Sequence, residues 1–156
     1  MKKLKWAIPF IILLLLPLVI DWAQNEEIEY NNYKISGKIV DEAAIKAPLD
    51  VIFLNNEAVN QKDIELYLST LNEESREVTK TELEEFFKTY DIKHEINALH
   101  VQKQTDERVV VEVVKTARNQ NEEEFQDHQS SNVITLEKFD GQWLIVEALV
   151  NKTQLL

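Results

Sequence analysis

No cysteine occurs in the 156 residues, which removes disulfides, thiolate metal sites, a cysteine nucleophile and a lipid-modified cysteine anchor from consideration. Only two glycines are present, too few for a phosphate-cradling loop. The three histidines, His94, His100 and His128, show no HxH, HxxxH or HExxH spacing, so no zinc site of the usual kind is expected. No metal or cofactor is called for. Positive charge is scarce as well, with 17 basic residues against 28 acidic ones. Three of the 17 are Lys2, Lys3 and Lys5, which leaves the rest of the chain with 14 against 28. Such a surface repels phosphate backbones, and no basic stripe with interleaved aromatics offsets it, so nucleic acid is excluded as a partner. The acidic residues lack the spaced Asp/Asn ladder with a central glycine that binds calcium, and read as a solvated, solubilising face.

One long hydrophobic run is present. Three lysines precede the uninterrupted apolar stretch Trp6 to Ile20, and Asp21 ends it. This is the layout of an export signal and is set apart from the fold. Its 15 residues cover only about 22 Å as a helix, short of the ~30 Å hydrocarbon core, which favours a cleaved signal and a secreted product. Against cleavage, the small residue Ala23 is preceded at minus three by charged Asp21. Trp6 and Trp22 bracket the run as interfacial aromatics do, and Lys5 can extend to the interface. The favoured reading is an uncleaved signal anchor over residues 1–23, in the membrane through residues 4–22. Lysines before the run and Glu26, Glu27 and Glu29 after it put the N-terminus in the cytoplasm, so the cell-membrane protein is single-pass with its C-terminal domain outside.

Residues 24–41 are polar and read as a spacer, with a short strand at Tyr33 to Ile39. The remainder, 42–156, is long enough for one domain. Three amphipathic helices open it. The first places Leu49, Ile52 and Phe53 on one stripe with Pro48 at a first-turn position. The second has Ile64, Tyr67, Leu68 and Leu71 at helical spacing, with Asp63 as its cap. The third runs through Leu83, Phe86, Phe87 and Tyr90, with Thr81 and Glu84 forming a capping box. From Ile92 the period becomes two. Ile92, His94 and Ile96 share one parity while Leu99 and Val101 share the other, which demands a bulge near Asn97 and Ala98. Three further strands follow, the last two joined by an Asp140-Gly141 turn. The expected architecture is α+β, with three N-terminal helices packed on a curved four-stranded antiparallel sheet.

Two stretches carry a resemblance. "NNEAVNQKDIELYLSTL" and "VITLEKFDGQWLIVEALV" are similar to the opening helices and closing strands of the nuclear transport factor 2-like superfamily, over residues 42–156. The resemblance implies a cone-shaped fold with a pocket between the helices and the sheet. That superfamily includes ketosteroid isomerase-like and polyketide cyclase-like enzymes, and also ligand-binding or interaction domains without catalysis, so fold alone does not select an activity.

An isomerase or cyclase needs a general base in the pocket and a donor for the developing oxyanion. Asp127 and His128 are the candidates for the base. Adjacent strand residues point to opposite faces, so the two cannot act as a dyad, and a surface strand histidine is the plainer reading of His128. His94 reads as a hydrogen-bonded core histidine and His100 as solvent-facing. Tyr67, Phe87 and Tyr90 are the ligand-binding candidates, although aromatics at helical spacing also serve simply as core. Trp143 reads as sheet core. With no converging acid–base set, the expected function is a non-catalytic extracytoplasmic domain that binds a small apolar ligand or a protein partner. The alternative is a small-molecule isomerase or cyclase using Asp127 or His128. A homodimer through the sheet is a further possibility.

Overall fold

The computed structural model describes residues 25–156; the expected anchor lies outside them. Nine elements follow in order. Strands β1 (Asn25–Tyr30) and β2 (Tyr33–Lys38) come first, then helices α1 (Glu42–Gln61), α2 (Ile64–Ser69) and α3 (Glu73–Thr89). Strands β3 (Ile92–Gln104), β4 (Arg108–Asn119), β5 (His128–Phe139) and β6 (Gln142–Leu155) complete the chain. Among the described residues no helix is long and apolar enough to cross a membrane.

The sheet has six strands in sequence order, not four, and it is mixed, because β2 runs parallel to β3. The stretch read as a spacer supplies the two additional strands. β1 and β2 form a hairpin turning at Asn31 and Asn32, both at positive φ (52° and 64°), the left-handed geometry a tight hairpin turn requires. The polar face of β1 hides this hairpin from a hydrophobicity reading, since only Ile28 and Tyr30 of its six residues are even partly covered. β2 is anchored more firmly: Ile35 is fully buried in the core.

Two helix starts also differ from expectation. α1 begins at Glu42, where the Asp41 carboxylate accepts from the Ala43 and Ala44 N–H groups at 2.9 Å each. Pro48 therefore lies in the second turn, not the first, and the helix does without one N–H there. α3 begins at Glu73, so Thr81 and Glu84 sit in mid-helix. Their backbone N–H groups belong to the helical ladder, which leaves a capping box nothing to cap. Two acids, Glu73 and Glu74, occupy the true first turn, where the helix dipole favours negative charge. The cap at Asp63 is as expected, accepting from the Leu66 N–H at 2.9 Å.

The pairing of β3 with β4 slips between Ile96 and Ala98 and again between Val101 and Lys103. The first slip falls where the parity change demanded it and returns Leu99 and Val101 to the face that carries His94 and Ile96. That face receives α1. Ile45, Leu49 and Ile52 of the helix pack with Leu99, Val101, Val111 and Leu136 of the sheet. One buried polar pair, Asn55 to Thr70 at 2.8 Å, joins α1 to the end of α2. The segment after α2 then covers part of the β6 edge, exchanging backbone bonds with Ile145.

Candidate functional site

Following β4 along its inward row gives Val109, Val111, Val113, then Lys115 and Ala117. The register places His94 opposite Ala117 on β3 and His128 opposite Ala117 on β5, with Ser130 opposite Lys115 and Asn132 opposite Val113. Residues opposite one another in a sheet share a face. The face that is apolar under α1 therefore turns polar at its far end. There it encloses a cavity of about 180 Å3 lined by His94, Lys115, His128, Ser130, Asn132 and Thr153, among others.

An aromatic cluster packs behind one lining residue, His128. The Phe125 ring lies 5.4 Å from the His128 ring and 5.7 Å from Tyr90, and Tyr90 lies 5.2 Å from Phe86. Phe87 joins at 6.0 Å from Phe86. The ligand-binding candidates thus divide. Phe87 and Tyr90 belong to this cluster and do not line the cavity, whereas Tyr67 is on α2, packed against the core, and burial raises its hydroxyl pKa.

Asp127 and His128 also separate, as their parity requires. The Asp127 carboxylate accepts the Asn119 N–H at 2.7 Å and faces the Arg118 guanidinium at 3.9 Å. It fastens the end of β4. The His128 ring is held through Nδ1 by the Gln126 carbonyl at 2.9 Å, which leaves Nε2 for other contacts. His94 is fixed through its backbone. Asn60 accepts its N–H at 2.7 Å and donates to its carbonyl at 2.9 Å. Its ring Nδ1 is buried without a hydrogen-bond partner, a cost of about 1–3 kcal/mol for an unsatisfied polar group.

The charge of this cavity is unusual for so acidic a chain. Lys115 has no carboxylate within ion-pair distance among the described residues, and burial lowers the pKa of its ammonium. For His94, burial and then the charges of Lys115 and His128 lower the pKa from 6.5 to about 4. His94 is therefore neutral at pH 7, and Lys115 is the one lysine or arginine among the lining residues.

Two stability predictions arise here. Between pH 6.5 and about 4 the unfolded chain protonates His94 while the folded chain does not. Stability from this residue is thus unaffected above pH 6.5, falls as pH drops through that window by about 3 kcal/mol in all, and levels below it. Urea unfolding at pH 7 and pH 4.5 should show a shallower loss in His94→Asn than in the wild type. Lys115→Met should stabilise the fold by up to about 1 kcal/mol, because it removes an unpaired charge from a partly buried position and keeps the volume. A rise in Tm is the expected readout.

Larger openings exist, one of about 430 Å3 among Asn72, Glu73, Glu74, Arg76 and Asp140, where the Asn72 Oδ1 is buried and unpartnered. The one of about 310 Å3 beside α1 is lined by Gln104, Lys138 and Trp143. Gln104 bonds to the backbone of Val40 and Asp41, and Lys138 lies over the Trp143 ring at 5.2 Å. His100, exposed as expected, contacts Ser36 at 3.0 Å. Trp143 is buried as sheet core. Among the described residues no three acidic or histidine side chains gather in a metal-binding cluster.

Similar folds occur in several solved structures. One is a protein of unknown function with a cystatin-like fold from Nostoc punctiforme, 13% identical over 70% of this chain and 91% of that one, with a TM-score of 0.60. Another, from Novosphingobium aromaticivorans, is provisionally named a scytalone dehydratase. It is 17% identical over 72% of this chain and 87% of its own, with a TM-score of 0.59. A third is a hexachlorocyclohexane dehydrochlorinase from Novosphingobium barchaimii, 14% identical over 73% and 90%, with a TM-score of 0.51. The likeness is one of fold, nuclear transport factor 2-like, shared by enzymes and by proteins without known activity. A comparison with curated proteins finds no match. One family model does match, over residues 50–156, and by it the chain belongs to the family described as the C-terminal domain of the anti-sigma-I factor RsgI9.

Proposed function

We propose that residues 42–156, with the β1–β2 hairpin, act as a non-catalytic binding domain held outside the cell membrane by a signal anchor over residues 1–23. The observation that carries this reading is the chemistry of the cavity. It gathers basic and neutral polar groups with no carboxylate among its lining residues, and the Asp127 carboxylate is spent on a backbone N–H. A proton-transfer enzyme of this shape needs a base poised near the working pH. His94, with its pKa at about 4, is a poor one. Membership in a family named for a regulatory protein agrees with a binding role, in which a ligand or a partner outside the membrane is recognised rather than converted.

A second reading rests on His128. Its Nδ1 is fixed by the Gln126 carbonyl, the arrangement that leaves Nε2 of a histidine available as a base. NMR spectra of small molecules incubated with the full chain separate the two. Shifted protein resonances with unchanged small-molecule spectra are expected. New product resonances that vanish in His128→Ala would replace the binding reading with an isomerase or cyclase. For the membrane arrangement, protease added to intact cells should remove the domain while alkaline extraction leaves the chain in the membrane. A chain released into the medium would mean a cleaved signal.

A further inference from the structure

We propose that the cavity takes an organic monocarboxylate, with the carboxylate against Lys115 and the apolar part directed toward His128 and the Phe125 ring packed against it. This deepens the binding reading above and rests on it.

The first argument is the unpaired charge. A partly buried ammonium with no anion beside it is costly, and perturbed ionisable groups of this kind gather at functional sites. Lys115 has no such partner among the described residues, although the chain has 28 acidic side chains to supply one. The second is the donor set around it. Asn132 Nδ2 donates to Ser130 Oγ at 2.8 Å, so the Ser130 oxygen is used as an acceptor and its hydrogen is left to donate. Thr153 adds a second hydroxyl to the lining, and Asn132 an amide. An ammonium and several neutral donors match the oxygens of one carboxylate.

Charge stoichiometry selects a monoanion. With His94 neutral, a phosphate carrying about −1.5 to −2 at pH 7 would find a single lysine and no arginine in the lining. Size points the same way. About 180 Å3 holds a carboxylate and a small body, and is smaller than the ~300–1,000 Å3 of pockets for drug-sized ligands. Ala117 and Val150 in the lining, with Phe125 against the His128 ring, supply apolar contact for what projects from it.

The test uses the full chain in detergent, with NMR detection of histidine ring and lysine side-chain resonances. The probes are benzoate, benzyl alcohol and inorganic phosphate. Benzoate should shift His94 and His128 saturably, with benzyl alcohol much weaker. Lys115→Met and Lys115→Gln should each weaken benzoate at least tenfold, while Lys103→Met on the exposed side of β3 leaves it unchanged. Benzoate and benzyl alcohol binding alike, with no loss in the Lys115 variants, would overturn the carboxylate assignment while the cavity remains a binding site. Phosphate displacing benzoate at equal concentration would overturn the choice of a monoanion. If no probe moves either histidine, the assignment fails, and the binding reading is then judged separately by the His128→Ala experiment.

Discussion

Gly37→Ala should be the most damaging small substitution in this protein, costing about 4 kcal/mol and loosening the β1–β2 hairpin from the rest of the sheet. Gly37 has φ +120°, a conformation that L side chains rarely adopt. A Cβ there would meet the Val101 carbonyl oxygen at 2.2 Å and the Val101 nitrogen at 2.7 Å. Both are backbone atoms of β3, directly opposite in the parallel pairing, so no side-chain rotation relieves the clash. The strands must part, and Ile35, fully buried two residues away, loses its cover. Gly141→Ala is the internal control. It also has positive φ, at 82°, but nothing lies within 4 Å of its Cβ position, so only the local backbone cost of about 1 kcal/mol applies. Urea midpoints for the two variants measure the difference. Hydrogen exchange should show fast-exchanging amides confined to β1, β2 and their partner in β3 for Gly37→Ala.

Leu136→Ala is expected to cost about 2–5 kcal/mol. Leu136 is fully buried and central on β5, paired with Val109 on β4 and Ile145 on β6. The helix α1 closes the site from above through Leu49 and Ile52. Strands on both sides and a helix across the face leave little room for collapse, which puts the loss in the upper half of that range. Leu149, at 55% exposed on the outer part of β6, should tolerate the same change within about 0.5 kcal/mol. Equal losses at both positions would mean that the second half of β6 is buried in solution against something else, such as a second copy of the chain.

The sequence disclosed the parts of this fold whose physics is local and periodic. The bulge at Asn97–Ala98 could be read because parity changes within one strand, and the Asp63 cap because a short acidic side chain precedes an apolar stripe. β1 was not legible in the same way. "NEEIEY" buries almost nothing, and its strand character comes from pairing with β2. The Asn31-Asn32 turn was the one signal available. Thr81 and Glu84 had capping-box spacing, but a helix already under way from Glu73 makes that spacing irrelevant.

The site was half legible. His128, read mainly as a surface strand histidine, lines the cavity, while Tyr90 lies in the aromatic cluster beside it and Asp127 precedes β5. Lys115 was missed, although it lies in the row Val109, Val111, Val113, Lys115, Ala117, where a lysine on an inward face should stand out. Its weight depends on the absence of a nearby carboxylate, which is a property of tertiary packing. His94 was read as a satisfied core histidine. Its backbone is indeed satisfied by Asn60, but its ring is not.

Everything said of the cavity turns on whether Lys115 stands unpaired in the free protein. Heteronuclear NMR of its Nζ across a pH series tests this most directly. The account predicts a pKa below the ordinary 10.5, rising toward it or above when benzoate is added. A value at or above 10.5 with no ligand present would show that a carboxylate of the protein already neutralises the ammonium, and would contradict the assignment of Lys115 as the group that receives a ligand carboxylate.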